Sequence, residues 1–432
     1  MALHDPQTVR EKVAGGAADT SFRAIILPSA RTFAPPGLKV AGITVAERQR
    51  RQLLRLGAAE VSEAGSADAA GCGPLLLIEV GLIADERLIE AFLQEARQRV
   101  DSARPLIAVG PDGQPGGLAW LPVGTQPLDW AELSASAELV NLASTPTYAP
   151  DRRRHVPLMW ERPADAAGGK SAANKLLAAA QKGCLDWPAR FIHPPIENAA
   201  VRLLWSTPIT PNMISIVAFL LGLYAAWSFA TGALWTGLIL ALIVGPIDGI
   251  DGKLARSRME FSRWGDLEHV GDKIVEYAWI AGLAAAIGTG AAWALAALIV
   301  CMALAEALQG EFYRRMTGAQ LDDAGRFERS FRLISGRRNT FFWSLLPFAW
   351  FNAWAAGLAM IAVYSAVNFF VMQARFFIRL AEYGRSNSAV IAANLDATAY
   401  IAKQTEKSGD DPLLPSSLAA APIPATPRLE AS

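Results

Sequence analysis

The sequence predicts an α-helical integral membrane protein with six transmembrane helices, preceded by a soluble α/β domain. Three observations support this fold class. The chain of 432 residues is 52% hydrophobic, which is more apolar than is usual for a soluble protein. Lysine and arginine are absent from three long stretches, 203–252, 274–313 and 339–374. The first part of the chain instead alternates short apolar runs with amphipathic helical patterns.

Each of the three stretches is long enough for two membrane spans joined by a short turn, because one span needs about 20 residues. Small or polar residues interrupt each stretch near its middle. We predict the turns at Thr231-Gly232, near Gly288–Gly290 and near Asn352. Three helical hairpins, and therefore six spans, result.

The basic residues predict the orientation of these hairpins. They lie between and after the apolar stretches, at Lys253–Lys273, at Arg314–Arg338 and from Arg375 onward. Under the positive-inside rule, these segments and the N-terminal half are cytoplasmic, and the protein lies in the cell inner membrane. The first residues lack the apolar run of a signal peptide, so we expect no cleavage there. A large soluble helical bundle would need polar stripes on its outer helices, and the sequence has none.

Composition divides the rest of the chain. Residues 1–20 are predicted to be flexible. Residues 21–150 predict an α/β domain with a mostly parallel sheet, because three apolar strand patterns (FRAIILP, PLLLIEV and PLIAVG) alternate with two amphipathic helical patterns (VAERQRRQLLRLG and DERLIEAFLQEARQRV). Residues 151–190 form a basic connector. Residues 191–385 form the six-span domain, whose first segment, PIENAAVRLLW, should lie along the cytoplasmic interface. Residues 386–432 are rich in Pro, Ala and Ser, and this composition predicts a disordered tail.

The net charge and the cysteine and histidine positions give no support for nucleic-acid binding, a zinc site or a disulfide framework. The formal net charge is zero, which gives no argument for nucleic-acid binding. The cysteines Cys72, Cys184 and Cys301 are scattered and match no zinc or disulfide spacing, and the four histidines show no ligand pattern.

Four acidic residues lie where two apolar helices should meet the membrane surface. Asp248 and Asp251 are three residues apart, and Glu268 and Asp272 are four apart, so each pair shares one helix face. Two such faces opposed across a helix pair would form an oxygen-rich cage, and carboxylates are the ligands that Mg²⁺ and Mn²⁺ prefer. The sequence therefore predicts a divalent-cation site built from these acids.

Three further residues follow Asp251 on the same helix. Gly252 and Ala255 are small and let a ligand approach the backbone, and the planar guanidinium of Arg256 can pair with a phosphate. Together with a cation they suggest a nucleoside diphosphate held at the membrane surface.

Two other interpretations of the acids are available. They could form intramembrane salt bridges with Lys253, Arg256 and Lys273 that stabilise the bundle. A transporter that couples to ions would need acids near mid-span, whereas these lie at predicted cytoplasmic helix ends. Because four acids with interleaved glycines exceed what ion pairing requires, and intramembrane ionisable clusters are functional by default, we favour a functional site.

The order Asp248-x2-Asp251-Gly252-x2-Ala255-Arg256, followed by Gly265, Glu268 and Asp272, resembles the signature of the CDP-alcohol phosphotransferases, D-x2-D-G-x2-A-R-x7–8-G-x3-D-x3-D. The resemblance extends over roughly residues 175–385, including TPITPNMISIVAFLLGL upstream and DKIVEY downstream. One residue is missing after Gly265, which places Glu268 third among the acids where the family has Asp.

The resemblance implies a reaction and roles for these residues. Asp248, Asp251, Glu268 and Asp272 would hold Mg²⁺ or Mn²⁺ on the CDP pyrophosphate, and Asp272 would also act as the general base. Gly252, Ala255, Arg256 and Gly265 would line the nucleotide site, with Asn212 as a further candidate at the mouth of the first span. Because Glu268 and the shortened spacing depart from the signature, a catalytically impaired membrane scaffold or regulatory homologue is the alternative.

The family also implies the partners. The donor is a CDP-alcohol, either a lipid CDP-diacylglycerol or a soluble CDP-polyol, and the acceptor is an alcohol or polyol phosphate. The arginines that would hold a phosphorylated acceptor, or else act only as positive-inside anchors, are Arg314, Arg315, Arg337 and Arg338. The resemblance further implies contact with membrane lipid and a homodimer.

The N-terminal segment AIILPSARTFAPPGLKVAGITVAERQRRQLLRLGAAEV resembles the opening of sugar-phosphate nucleotidyltransferases. The domain order is similar to that of the bifunctional inositol-phosphate cytidylyltransferase and di-inositol phosphate phosphate synthase family. Lys39 matches the pattern, but Pro28–Arg31 replaces the glycine-rich phosphate loop, and Gly81-Leu82 stands where a metal-binding Asp is expected, with Glu79 nearby. We therefore expect a non-catalytic or regulatory domain.

Overall fold

The computed structural model describes residues 22–28, 37–63, 73–99, 104–123, 130–261 and 265–408, without the side chains of 265–269, 388–390 and 392–408. The segment predicted to be flexible, 1–20, and three of the residues at the expected phosphate loop, 29–31, lie outside this part of the chain.

An α/β unit occupies the first third of the chain. Its strands are β1 (Phe22–Leu27), β2 (Lys39–Val40), β3 (Ile43–Thr44), β4 (Ala58–Glu63), β5 (Leu75–Glu79), β6 (Ile83–Ala84), β7 (Leu106–Val109), β8 (Pro115–Leu121) and β9 (Glu138–Asn141). Its helices are α1 (Val45–Arg55), α2 (Glu86–Gln98) and α3 (Trp130–Ser136). The short strands β10 (Tyr148–Ala149), β11 (Arg154–His155) and β12 (Trp160–Glu161) follow, and then helix α4 (Ala166–Ala180).

The main sheet has six strands in the order β4-β1-β5-β8-β7-β9. Strand β1 runs parallel to β4 and β5, whereas β8 is antiparallel to both of its neighbours. Five strands thus point the same way, as predicted. The central strand β5 is buried along its whole length, which explains its continuous run of apolar residues. The three predicted strands and two predicted helices are all present.

The membrane part is helical. After a π-helical turn at Pro188–Ile192 come α5 (His193–Leu204), α6 (Pro211–Ala230), α7 (Leu234–Arg258), α8 (Gly265–Ile287), α9 (Gly290–Thr317), α10 (Arg326–Ile334), α11 (Arg338–Trp350) and α12 (Trp354–Ser408). The three predicted turns separate α6 from α7, α8 from α9, and α11 from α12. Gly232 and Gly288 adopt positive φ there, as does Asn352, and these residue types tolerate that conformation best.

Four of these helices are long and apolar enough to cross a membrane: α6, α7, α9 and the first 34 residues of α12. The structure therefore supports a helical membrane protein with an α/β domain, but it does not confirm six spans. Helix α11 has only 13 residues, about 20 Å at 1.5 Å per residue, against a hydrocarbon core of about 30 Å. The first five side chains of α8 are not described.

The end of the chain differs from expectation. Helix α12 continues past a non-helical residue, Asn387, to Ser408, whereas the sequence predicts a disordered tail from residue 386. The segment 389–402 is rich in alanine and other helix-forming residues, which gives it a local preference for helix. Residues 409–432 lie beyond the described chain.

Candidate active site

Helices α6, α7 and α8 surround a cavity of about 530 Å³, the carboxylate cavity. Its polar side chains come from all three helices: Asn212 and Ser215 from α6, Asp248 and Asp251 from α7, and Asp272 from α8. Apolar residues of α6 and α8 complete the lining, among them Ile216, Phe219 and Ile274. Three of the four predicted acids therefore share one cavity.

Local structure places each polar group. Thr210 caps α6 by accepting a hydrogen bond from the backbone N–H of Met213, which sets Asn212 in the first turn. Ser215 lies one turn further along the same helix. Its hydroxyl donates to a carboxylate oxygen of Asp251 at 2.6 Å, and the Asp251 residue is only 4% exposed. The serine thereby fixes the orientation of a buried acid.

Arg338, at the first position of α11, connects two of the acids. Its guanidinium donates to Asp248 at 2.8 Å and to Asp272 at 3.2 Å. The arginine side chain is 12% exposed, and those of Asp248 and Asp272 are 30% and 34% exposed. The guanidinium charge thus offsets the repulsion between two half-buried carboxylates.

The three basic residues that the sequence offered as salt-bridge partners of these acids form other contacts in the structure. Lys253 is buried and donates to Glu197 and Asn198 at 2.8 and 2.7 Å, and Lys273 pairs with Glu276 on its own helix. Arg256 donates to the backbone carbonyl of Ala180 at 2.8 Å. The bridge to the acids therefore comes from Arg338, which the sequence suggested as an acceptor contact or a positive-inside anchor.

The predicted nucleotide contacts are not all brought to the carboxylate cavity. Arg256 lines a separate small cavity of about 50 Å³ against the α/β unit. Gly252 faces that arginine, because a Cβ on Gly252 would lie 3.1 Å from its guanidinium. Ala255 lies on the same helix, and its carbonyl accepts from the Glu260 N–H. Gly265 begins α8, and the Glu268 side chain lies outside the described residues.

The carboxylate cavity has oxygen donors of the kind that a divalent cation needs, although the Glu268 side chain lies outside the described residues. Within the described part of the chain, no three His, Cys, Asp or Glu side chains come close enough together to hold a metal ion. The donor chemistry fits Mg²⁺ or Mn²⁺. A cation bound by Asp248 and Asp272 together would either compete with Arg338 or use the carboxylate oxygens that Arg338 does not contact.

A second cavity, of about 310 Å³, opens beside α8, α9 and α10. Two of the predicted acceptor arginines, Arg314 and Arg337, line it together with Lys273. Arg315 instead pairs with Glu311, which also pairs with Arg314. We call this the polar cavity.

Sequence reasoning missed Ser215 and the buried Glu197–Lys253 pair. A signal for Ser215 exists, since it lies three residues after Asn212 and so on the same face of the first span. No comparable signal exists for Glu197, whose partner is 56 residues away.

Comparison with known proteins concerns the same segment of the chain. Residues 208–367 match the CDP-alcohol phosphatidyltransferase family. The matched segment contains all four predicted acids and Arg338, so the resemblance drawn from the acidic motif is confirmed.

Curated relatives of the matched segment include two proteins named bifunctional IPC transferase and DIPP synthase. The Aquifex aeolicus protein is 29% identical over 160 residues, 35% of this chain and 36% of that protein. The Rubrobacter xylanophilus protein is 34% identical over 152 residues, 35% of this chain and 33% of that one. A phosphatidylinositol phosphate synthase of Mycobacteroides abscessus is 29% identical over 143 residues, 32% of this chain and 65% of that protein. The chain thus spans about a third of the length of the bifunctional relatives it matches.

The α/β unit has its own candidate site at the carboxyl ends of its strands, where such folds bind ligands. Glu79 ends β5 there, is buried, and accepts from Arg162 at 2.7 Å. The Trp160 ring packs against Gly110 and Gly117, closely enough that a Cβ on either glycine would overlap it. Side chains of β12 and the residues after it thus occupy this edge of the sheet.

Proposed function

We propose that this protein is a membrane CDP-alcohol phosphotransferase that transfers a phosphoalcohol group to an acceptor alcohol and releases CMP. The observation that carries the proposal is the shared cavity of Asp248, Asp251 and Asp272, formed by helices within the family match. Asp251 is buried, and Asp248 and Asp272 are partly buried within their helices. Carboxylates in membrane helices are costly, and a substrate-bound cation would offset that cost.

The chain's own residues would act as follows. Asp272 accepts the proton of the acceptor hydroxyl, and the resulting oxygen attacks the phosphorus that carries the donor alcohol. A new P–O bond forms, the bond from that phosphorus to CMP breaks, and CMP leaves. Ser215 orients Asp251, and Asn212 lies at the cavity mouth to contact the donor. Asp248, Asp251, Glu268 and Asp272 would hold Mg²⁺ or Mn²⁺, which supplies charge neutralisation of the pyrophosphate when bound.

The wall of the carboxylate cavity favours a lipid donor. Ile216, Phe219 and Ile274 line it and are 59%, 38% and 54% exposed. Exposed apolar side chains on membrane helices contact acyl chains. A CDP-diacylglycerol therefore suits this cavity better than a soluble CDP-polyol, and the product would be a phospholipid. Arg314 and Arg337 of the polar cavity would contact a phosphorylated acceptor. Both arginines are paired with acids of the same lining, Arg314 with Glu311 and Arg337 with Asp322, so the acceptor phosphate would have to compete with these carboxylates.

We further propose the predicted six spans, with α8 and α11 completing the hairpins, and a cytoplasmic α/β domain. Cysteines placed singly at Gly232, Asn352 and Lys170 in a background lacking the native cysteines test this arrangement. An impermeant maleimide should label the first two from outside intact cells and spare the third.

We also propose the domain boundaries at 150, 190 and 385 and a homodimer. Mass photometry in detergent tests the dimer.

For the α/β domain we propose a positioning role without nucleotidyl transfer. Arg48 of α1 is buried and donates to the carbonyl of Ser257 in the last turn of α7. Arg51 donates to the next carbonyl, of Arg258, at 3.0 Å. Both cations therefore bind the carboxyl end of the helix that carries Asp248 and Asp251, where positive charge is favoured.

A membrane scaffold is the second candidate, and the Arg338 bridge favours it. A guanidinium that neutralises Asp248 and Asp272 can stabilise the helix bundle with no cation bound. The two candidates differ in one measurement, metal-dependent release of CMP.

Purified protein in detergent or nanodiscs is incubated with CDP-diacylglycerol or CDP-polyols, polyol and polyol-phosphate acceptors, and Mg²⁺ or Mn²⁺. We expect CMP release that EDTA stops and that Asp251→Asn or Asp272→Asn abolishes. Ser228→Ala, on α6 outside the cavity, serves as the control and should retain release. Release that continues in EDTA or in both Asn variants would refute the mechanism. Absence of turnover across the whole panel would favour the scaffold.

A further inference from the structure

A small cavity of about 50 Å³ lies where the α/β unit meets the end of α7. We call it the interdomain cavity, because its walls come from both parts of the chain. Arg48 and Gln52 of α1 line it, together with Arg152 of the connector and Arg256 of α7. Three of these four side chains are arginines. The interdomain cavity shares no lining residue with the carboxylate cavity or the polar cavity in the described part of the chain.

Arg48 brings a buried positive charge to this cavity. The residue is only 3% exposed. One of its guanidinium nitrogens donates to the carbonyl of Ser257, whereas its Nε has no hydrogen-bond partner among the described residues. Burial, and secondarily the charge of Arg51, lower the pKa of Arg48 to about 10, so the guanidinium is still charged at neutral pH. A buried cation that lacks a counter-ion is costly, and an anion in the cavity would offset that cost.

The other two arginines also leave donors at the cavity. Arg256 donates from its Nε to the Ala180 carbonyl at 2.8 Å, which uses one of its five N–H groups. Arg152 lies 3.3 Å from a carboxylate oxygen of Asp151, an acid whose side chain is 61% exposed. The Nε of Arg152 is nevertheless buried and has no hydrogen-bond partner among the described residues. Two of the three arginines therefore carry a buried N–H group without an acceptor.

Two acids also line the cavity, and both are held by arginines outside its lining. Asp85 accepts two hydrogen bonds from the guanidinium of Arg87, at 2.9 and 2.8 Å. Glu86 lies 3.5 Å from the guanidinium of Arg55. In the described part of the chain, neither acid forms a salt bridge with the three arginines of the lining. These carboxylates therefore do not act as the counter-ions of those arginines.

The volume of the cavity limits the size of the anion. One water needs roughly 10–15 Å³ of such a cavity, so this one holds roughly three to five waters. A tetrahedral oxyanion would fill the same space with four oxygen atoms, each of which can accept hydrogen bonds from N–H groups. An organic group attached to that anion would have no room inside.

We propose that the interdomain cavity binds inorganic phosphate, and that the bound anion holds the α/β unit against the end of α7. Guanidinium groups match phosphate oxygens in geometry and charge. Because the walls belong to both α1 and α7, the site exists only while these helices are in contact, and phosphate therefore stabilises that contact. The proposal does not depend on the transfer reaction.

Hydrogen exchange of the full chain in detergent tests the proposal, with sodium phosphate compared with sodium chloride at equal ionic strength and no CDP-alcohol present. Ligand linkage slows opening by a factor of one plus the ratio of phosphate concentration to Kd. Phosphate at ten times its Kd should therefore slow the exchange of residues 254–261 about tenfold. Residues 106–121, which do not line the cavity, should exchange equally fast in both salts.

Three variants at two positions show where the phosphate binds. Arg152→Gln removes one cation of the lining and should lose most of the slowing, whereas Arg152→Lys keeps the charge and should retain part of it. The matched control is Arg50→Gln, an arginine of α1 that is 56% exposed and outside the lining, and it should keep the full effect. Melting temperatures establish that all three variants fold.

No slowing in the wild type, or equal slowing in Arg152→Gln and Arg50→Gln, overturns the proposal. Equal slowing by glycerol 3-phosphate overturns the assignment to an inorganic anion. The measurement uses no CDP-alcohol and no CMP release, so failure of this site and failure of the transfer reaction are distinguishable.

Discussion

Arg338 donates a hydrogen bond to Asp248 across 90 residues of sequence, at 2.8 Å. The same guanidinium reaches Asp272 on α8, so one arginine bridges two of the four predicted acids. A divalent cation bound between these acids would therefore meet a guanidinium that already holds one oxygen of each. Competition between the two gives the first prediction.

Replacing Arg338 by Gln should tighten Mn²⁺ binding, because the guanidinium no longer competes for Asp248 and Asp272. We expect a gain of roughly fivefold or more, corresponding to a coupling free energy of about 1 kcal/mol. Electron paramagnetic resonance of free Mn²⁺ during titration measures it. Arg326→Gln, an exposed arginine on α10, is the control. Unchanged or weaker binding in Arg338→Gln would show that Arg338 does not compete with the cation for these acids.

Ser215→Ala should slow CMP release without unfolding the protein. The hydroxyl holds buried Asp251 at 2.6 Å, and a hydrogen bond to a charged group is worth about 1.5–3 kcal/mol, so a loss of roughly tenfold or more in rate is expected. Ser228→Ala removes a buried hydroxyl that bonds only the Tyr224 carbonyl among its described contacts. A rate equal to that of Ser228→Ala would mean that Ser215 does not position the acid.

Arg48→Met should loosen the carboxyl end of α7. The change leaves the Ser257 carbonyl without its buried partner, at a cost of about 1–3 kcal/mol. Hydrogen exchange of residues 254–261 should accelerate, and the melting temperature should fall. Arg48→Lys should restore part of the protection, and Arg50→Met, whose side chain is 56% exposed, should change neither quantity. Unaltered exchange in Arg48→Met would remove the positioning role of the α/β domain.

Gly222→Ala should destabilise the contact between α6 and α8. A Cβ on Gly222 would lie 2.6 Å from a methyl group of Val275, and the Gly222 carbonyl accepts from the Trp279 indole at 2.7 Å. Overpacking of this kind costs about 1–3 kcal/mol. Gly310→Ala, where the added methyl meets no atom within 4 Å, is the control in thermal unfolding. Equal melting temperatures for the two variants would contradict the packing.

Much of the fold follows from local patterns. The strand β5 could be predicted from its unbroken run of apolar residues, and the helix α1 from the helical spacing of its apolar residues. The turns at Gly232 and Asn352 could be predicted because few residue types adopt positive φ. The exception is α11, whose apolar stretch gives only 13 helical residues. Hydropathy alone cannot show where such a helix begins and ends.

The sequence by itself predicted which residues would carry the chemistry, since the spacing of Asp248, Asp251 and Asp272 on two helices is a local property. Only the tertiary structure decided their partners. Arg338, Ser215 and Arg48 reach their contacts across 90, 36 and 209 residues, and no periodicity encodes such distances. Arg256 was predicted to contact the nucleotide, but in the structure it donates to the Ala180 carbonyl. The direction of such a long side chain depends on the elements packed around it, which the sequence does not give. Whether a charged group faces a substrate or its own protein is therefore settled by packing.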